Sequence, residues 1–517
     1  MLGVPGKILK LNDSAWLFAE SRRTPMHVGM LATLSMPEDA DKCYLEDIVN
    51  AWREVRTFAP PFNYVLAGPG PLRWKELPDD RIDVDYHLRH SAVPSPGGER
   101  ALGVLVSRLH SQRLDRRYPL WECHVIEGVE PGKWSIYMKV HHSQIDGVGG
   151  LRLARRIFSV DPDAREMQPP WAIGTSGPDQ SGLERTPRKE VATGRRLDPV
   201  AGARSAGSVV TSLAKTYAES VTGFGGSKRA VPFRAPHSVL NGRINAPRRF
   251  ATQTYEIARL KAVAGAAGGS LNDVFLAISG GALRRYLSEL DALPEHTLTA
   301  NVPVSVRPEG EAGVGNAITF LYAGLGTDVA DPVERIRAIR ASTQLAKERL
   351  PQAGGPMMDA YTSVLMGPFL APAVLGVGGY GPPDANLVIS NVPGLREARY
   401  FNGSRLEAYY PLSLLFHGQA LNITGVSNDT TFCVGYTGCR DTLPHLQRIA
   451  VYSGEALEEL EKALGLTWEP ESAASKPSEA VPSTSTATKA TAAKAGPTKR
   501  TAARKRPAPR PAAPRAT

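Results

Sequence analysis

The sequence predicts a mixed α/β protein, and three patterns carry that expectation. Leu102, Leu105, Val106 and Leu109 recur at the spacing that lines one stripe of a helix. Trp134, Ile136, Met138 and Val140 alternate with Ser135, Tyr137 and Lys139, as the two faces of a strand do. Both signals return after residue 233, so neither half of the chain is all helix or all strand.

The elements follow in order. After Pro119-Leu120, the residues Trp121, Cys123 and Val125 alternate as a strand. The strand over 133–140 runs straight into His141-His142-Ser143-Gln144-Ile145-Asp146-Gly147, and a helical pattern, LRLARRIFS, comes next. Ser270 is a good N-cap before Leu271, Val274, Phe275 and Ile278 at helical spacing. Asp331-Pro332 opens another helix, with proline at the tolerated first position. Short strands are expected at 386–392 (NLVISNV) and 432–438 (FCVGYTG), with Ser390-Asn391-Val392-Pro393-Gly394 reading as a strand end and turn.

The 517 residues are 42% hydrophobic and 22% charged, which excludes a mini-protein, a collagen-like chain and a wholly disordered one. Cys43, Cys123, Cys433 and Cys439 lie far apart and form no C-x-x-C pair, so a zinc ribbon or disulfide scaffold is not expected and a reducing compartment fits. The opening MLGVPGKILKLNDSAW lacks the apolar run of a secretory signal. Of the net charge of +10, residues 471–517 carry +8, from ten Lys/Arg and two acids. The basic signal therefore belongs to an Ala-, Pro- and Thr-rich tail expected to be disordered, and the body is near neutral.

A polar, Gly/Pro/Ser-rich stretch divides the body. The expected organisation is a domain over 1–160, a connection over 161–232 with a possible helix at 208–221, a domain over 233–470 and the tail over 471–517. Residues 363–381 are uncharged, but Pro368, Pro372 and five glycines argue against a spanning helix. They read as a buried helix and loop, or as an apolar wall of a lipid site or membrane-dipping surface.

The histidine pair is the sharpest chemical signal. Adjacent histidines on an extended chain point to opposite faces, and no metal-spaced partner follows, so no metal site is expected. No G-x-S-x-G elbow, P-loop or complete dinucleotide fingerprint is present. General-base chemistry by one imidazole remains, since its unperturbed pKa near 6.5 suits proton removal at neutral pH.

HHSQIDG (141–147) matches the HHxxxDG motif of coenzyme A-dependent acyltransferases and peptide-synthetase condensation domains. LNDSAWLFAESRRTPMHVG (11–29), LDRRYPLWE (114–122), SLNDVFLAISGGALRRYL (270–287), NVPVSVRP (301–308), GNAITFLYAGLGTDVADPVERI (315–336), NLVISNVPG (386–394) and YPLSLLFHGQALNIT (410–424) narrow the likeness. Together, over about residues 10–455, the chain resembles the bacterial wax ester synthase/diacylglycerol acyltransferase family. Leu395 departs from it, standing where a second proline is frequent.

The resemblance implies two chloramphenicol-acetyltransferase-like domains with the active site at their interface. It implies no cofactor: fatty acyl-coenzyme A is a substrate, and diacylglycerol or a long-chain alcohol is the acceptor. A polyketide, glycolipid or amine acceptor stays open, as does a non-catalytic lipid-droplet scaffold. His142 would be the base, acting by direct transfer without an acyl-enzyme. Asp146 would be structural, with Arg307 a candidate partner; Gly147 would permit the close turn, and His141 would support. Pro119, Leu120 and Trp121 read as core packing or as a scaffold beside the acyl pocket. Asn272 and Asp273 read as helix capping or as site lining. Ser390 and Asn391 would approach substrate. Peripheral association with the inner membrane face or lipid droplets is expected of a cytoplasmic protein with such substrates. The basic tail could meet an anionic surface or nucleic acid.

Overall fold

The alternation read at 134–140 becomes the middle of a six-stranded sheet. The structure is a computed structural model and describes residues 7–9, 11–68, 72–176, 230, 232–305, 318–348 and 371–468. The strands of the first part are β1 (Lys7–Ile8), β2 (His27–Ser35), β3 (Tyr64–Leu66), β4 (Arg73–Glu76), β5 (Leu88–Ala92), β6 (Trp121–Glu130) and β7 (Lys133–His141). Those that follow are β8 (Arg248–Glu256), β9 (Thr299–Ser305), β10 (Ile318–Gly324), β11 (Leu387–Leu395), β12 (Tyr400–Phe401), β13 (Ser404–Leu412), β14 (Leu421–Asn428) and β15 (Thr431–Cys439).

Two six-stranded sheets form, in the orders β12-β13-β2-β7-β6-β5 and β10-β9-β11-β14-β15-β8, with β1, β4 and β3 as a small third sheet. The first is antiparallel except at β5–β6; in the second, β11 runs parallel to both β9 and β14. The sheets do not follow the sequence halves. β13 leaves the second half of the chain and pairs with β2 from Arg405 opposite Ser35 to Leu412 opposite Gly29. A Cβ at Gly435 of β15 would stand 2.0 Å from the Pro411 carbonyl oxygen of β13, so only glycine lets the second sheet press this closely on the transferred strand.

The expected helices form at Glu99–Ser111, Gly147–Ile157, Leu271–Ser288 and Pro332–Glu348. Asp331 starts the last of these by accepting from the backbone N–H groups of Val333 (2.9 Å) and Glu334 (2.8 Å). Helix Leu271–Ser288 is buried in the second core, where Gly281 meets Ala456 of helix Leu446–Ala463; a Cβ there would come within 2.8 Å of it. The polar face of β7 is not solvated as simple alternation suggests: Ser135, Tyr137 and Lys139 are all buried. Lys139 Nζ donates to the carbonyls of Leu109 (3.1 Å) and Gln112 (2.9 Å) at a helix C-terminus and pairs with Glu122 (3.1 Å).

The packed chain runs past Asp161, where the connection was expected to start. Trp171 is fully buried, stacked on Trp121 at 5.3 Å and edge-on to Trp52 at 5.5 Å. An aromatic side chain of that size keeps the segment on the core. The expected helix at 208–221 and the tail over 471–517 lie outside the described residues, as does most of the apolar stretch 363–381. Its described end, from Ala371, makes a helical turn and leaves Val374, Leu375, Val377 and Tyr380 exposed. Among the described residues no single helix is long and apolar enough to cross a membrane.

Candidate active site

Strand parity decides which histidine faces which way. Met138, Val140 and His142 are two residues apart and share a face, opposite Tyr137, Lys139 and His141. The register sets Met138 against Met30 and Val140 against Val28, and these four residues floor a cavity of about 310 Å³ whose wall includes His142. The backbone N–H of His142 donates to the Met26 carbonyl at 2.9 Å, which carries the ladder one residue past β7.

The other walls come from distant parts of the chain. Ile145, Asp146, Gly147 and Leu151 line the side of helix Gly147–Ile157. Val388, Ser390 and Asn391 come from β11, with Asn422 and Thr424 from the adjoining β14. Trp16, Phe320, Tyr409, Leu414 and Phe416 complete an apolar lining. Such a surface accepts hydrocarbon, with few polar groups to fix its orientation.

His142 is half-buried, and its Nδ1 is sealed from solvent without a hydrogen-bond partner. Its ring lies 4.1 Å from that of Trp16. Burial pulls its pKa below the ordinary value near 6.5, and the Asp146 charge pulls the other way. Asp146 is the N-cap of helix Gly147–Ile157, its Oδ1 accepting from the Gly149 N–H at 2.7 Å. Arg307, the expected partner, lies outside the described residues.

The structure separates the remaining candidates. His141 faces away from the cavity. Its Nδ1 stands 2.7 Å from Ser143 Oγ and accepts the Ser143 N–H at 3.2 Å, while Glu20 lies 3.7 Å from its Nε2. Burial, with Arg116 and His142 beside it, holds its pKa down to about 3. Gly147 departs from the expected turn role: it is the first helical residue, its φ is not positive, and an added Cβ would only touch Val392 at 3.8 Å. Gly149 is tighter, since its Cβ would meet Asp146 Oδ1 at 3.2 Å.

Pro119, Leu120 and Trp121 are buried and do not line the cavity. Trp121 stacks on His87 at 4.2 Å and donates through Nε1 to the Phe62 carbonyl at 2.9 Å. Leu120 sits in a satellite core with Leu17, Trp74 and Leu114. Asp273 closes a capping box with Ser270 and accepts from Thr343 Oγ1 at 3.0 Å, so its oxygens are taken. Asn272 stands behind the wall, with Asn391 Nδ2 3.5 Å from its Oδ1. Ser390 and Asn391 do line the cavity. Trp16 and Phe416 are among the lining side chains that sequence reasoning missed: inside LNDSAWLFA and PLSLLFHG they look like ordinary apolar core.

The HHxxxDG segment thus builds a strand-end histidine and a helix-capping aspartate into the wall of one apolar cavity, on a two-sheet fold. Known relatives show the family. Residues 9–275 match the wax ester synthase/diacylglycerol acyltransferase catalytic domain, and residues 314–461 match the WS/DGAT C-terminal domain. A Mycobacterium tuberculosis protein named as a diacylglycerol O-acyltransferase is 42% identical over 485 residues, 88% of this chain and 97% of its own length. O-acyltransferase WSD of Acinetobacter baylyi is 37% identical over 454 residues, 86% of this chain and 95% of its own. The solved wax ester synthase/diacylglycerol acyltransferase of Marinobacter aquaeolei superposes with a TM-score of 0.70 at 33% identity, over 89% of this chain and all of that one. The chain belongs to the wax ester synthase/diacylglycerol acyltransferase family and is an O-acyltransferase. A condensation domain of the calcium-dependent antibiotic synthetase, at 16% identity and a TM-score of 0.53, shares the fold.

Proposed function

We propose that this protein moves a fatty acyl group from acyl-coenzyme A to the hydroxyl of a diacylglycerol or a long-chain alcohol, with His142 as general base. The observation that carries the reading is His142 itself, set into the wall of an apolar cavity with its pKa lowered, and so neutral and ready to accept a proton at pH 7. The acceptor hydroxyl gives its proton to Nε2, because Nδ1 is sealed. Its oxygen then bonds to the thioester carbonyl carbon. As the tetrahedral centre collapses the C–S bond breaks, and the imidazolium returns the proton to the departing thiolate. A base so placed contributes about 10²–10⁴-fold.

No cysteine lines the cavity, and a thioester is already activated, so holding donor and acceptor together suffices. Acceptors of this class reside in lipid. Exposed Leu375 (72%) and Val377 (53%) support peripheral contact with a lipid surface. The test is turnover of labelled palmitoyl-coenzyme A with either diolein or hexadecanol. Ester formed with at least one acceptor is expected, and none with either would overturn the reading.

A further inference from the structure

Phe416 is a wall of two cavities. On one side its ring is 6.0 Å from Trp16 in the acyl-transfer cavity. On the other it borders a second cavity of about 410 Å³, framed by Pro372, Gly378, Tyr380, Asp384 and His417. One arginine, Arg243, stands against its lining residues Gly378, Tyr380 and His417. The Arg243 guanidinium lies 4.6 Å from the Tyr380 ring centroid, and its Nη1 donates to the carbonyls of Gly376 (3.1 Å) and Gly378 (3.2 Å).

Arg243 Nη2 stands 3.2 Å from His417 Nε2. The Ile244 backbone N–H donates to the Nδ1 of that imidazole at 3.1 Å, which puts the ring proton of the neutral form on Nε2. Two donors therefore face each other with no acceptor between them. Burial first, and then the charges of Arg243, Arg23 and Arg248, hold the His417 pKa down to about 4, so the imidazole is neutral at pH 7. Among the described residues neither Arg243 nor Arg23 has a carboxylate partner. Asp384 borders the cavity, but its oxygens accept from Tyr322 Oη (2.6 Å) and Asn301 Nδ2 (2.9 Å), and burial raises its pKa.

We propose that the second cavity binds the phosphates of coenzyme A, with Arg243 and the Nε2–H of His417 as donors, while the pantetheine arm passes Phe416 to bring the thioester to His142. A phosphate oxygen supplies the acceptor that the opposed donors lack. The exposed Tyr380 ring offers the adenine a stacking surface. This rests on the acyl-transfer reading above, which places a polyanionic donor next to an apolar cavity. An anionic lipid headgroup presents the same phosphate chemistry, and the experiment separates the two.

The full chain, as wild type, Arg243→Gln and Arg243→Lys, is titrated calorimetrically with coenzyme A. The Kd is expected to rise about tenfold in the Gln variant and less in the Lys variant. In turnover, kcat/KM for the Gln variant falls about tenfold with palmitoyl-coenzyme A but less than twofold with palmitoyl-N-acetylcysteamine, which has no phosphates. An unchanged Kd, or an equal loss with both thioesters, overturns the proposal. Weaker binding of Arg243→Gln to phosphatidylglycerol vesicles, with its coenzyme A Kd unchanged, overturns it in favour of a lipid headgroup. Because the titration needs no turnover, an inactive wild type would refute the acyl-transfer reading while the Kd values still judge the site.

Discussion

The indole of Trp16 lies against the imidazole of His142, with ring centroids 4.1 Å apart and planes inclined by 32°. The contact joins a helix near the N-terminus, Leu11–Ala19, to the residue after β7. It restricts rotation of the imidazole and keeps water from one face of the ring. Both effects favour a neutral imidazole aimed at one point in the cavity.

Trp16→Ala removes that cover. The His142 pKa then moves back up toward 6.5, because burial is the first cause of its depression. The acid limb of the kcat/KM profile should shift to higher pH, with kcat lowered about 10-fold or more. A pH–rate series on the variant checks this, and an acid limb that stays in place contradicts it.

His142→Ala should lower kcat about 10²–10⁴-fold while circular dichroism and the urea midpoint stay close to wild type, since the ring makes no hydrogen bond that the fold needs. Turnover near normal in the folded variant would end its assignment as base.

Asp146 separates capping from charge. Asp146→Ala loses the 2.7 Å bond from the Gly149 N–H and should cost about 0.5–2 kcal/mol in denaturant unfolding. Asp146→Asn keeps a capping oxygen, so most of that stability returns. It still loses the charge that holds the His142 pKa up, so its acid limb should move to lower pH. Equal stability losses in the two variants would refute the capping role.

Buried neutral histidines set the acid stability. Burial is the first cause that lowers His87 to about 4, His110 to about 3 and His141 to about 3. Between those values and 6.5 the unfolded chain binds protons that the native one does not. Stability is therefore complete above pH 6.5 and falls as pH drops through this window, each group adding a slope that approaches about 1.4 kcal/mol per pH unit. Urea midpoints measured from pH 7.5 to 4.5 check the sign, and a flat series contradicts it.

Direct transfer predicts no covalent intermediate. Incubation with palmitoyl-coenzyme A alone, read by intact-protein mass spectrometry, should show no stoichiometric acyl adduct. A hydroxylamine-sensitive adduct formed in a burst would require a nucleophile.

Local rules made part of the site legible. Period-two alternation placed His141 and His142 on opposite faces, and the order strand, histidine, aspartate, helix was readable because each step is local. What joins the walls is not. Trp16 meets His142 only through tertiary packing, and no spacing in LNDSAWLFA separates a cavity aromatic from a core one. For Pro119, Leu120 and Trp121 local pattern left core packing and a place beside the pocket both open, and burial decides for the core. Their strand pattern holds, but Trp121 is packed between His87 and Trp171, where its size serves the core. Gly147 was given a backbone reason, while the cramped glycine is Gly149, pressed against the capping carboxylate.

The transfer of β13 into the first sheet has a consequence for synthesis on the ribosome. Until Leu412 has emerged, the β2 edge from Gly29 to Ser35 has no partner on that side. At about 5–20 residues per second, that edge waits on the order of tens of seconds. An unpaired strand edge is a template for another chain. Nascent copies on one message are thus most prone to cross-pair in this interval, and a fragment ending near residue 160 would keep the open edge for its whole life.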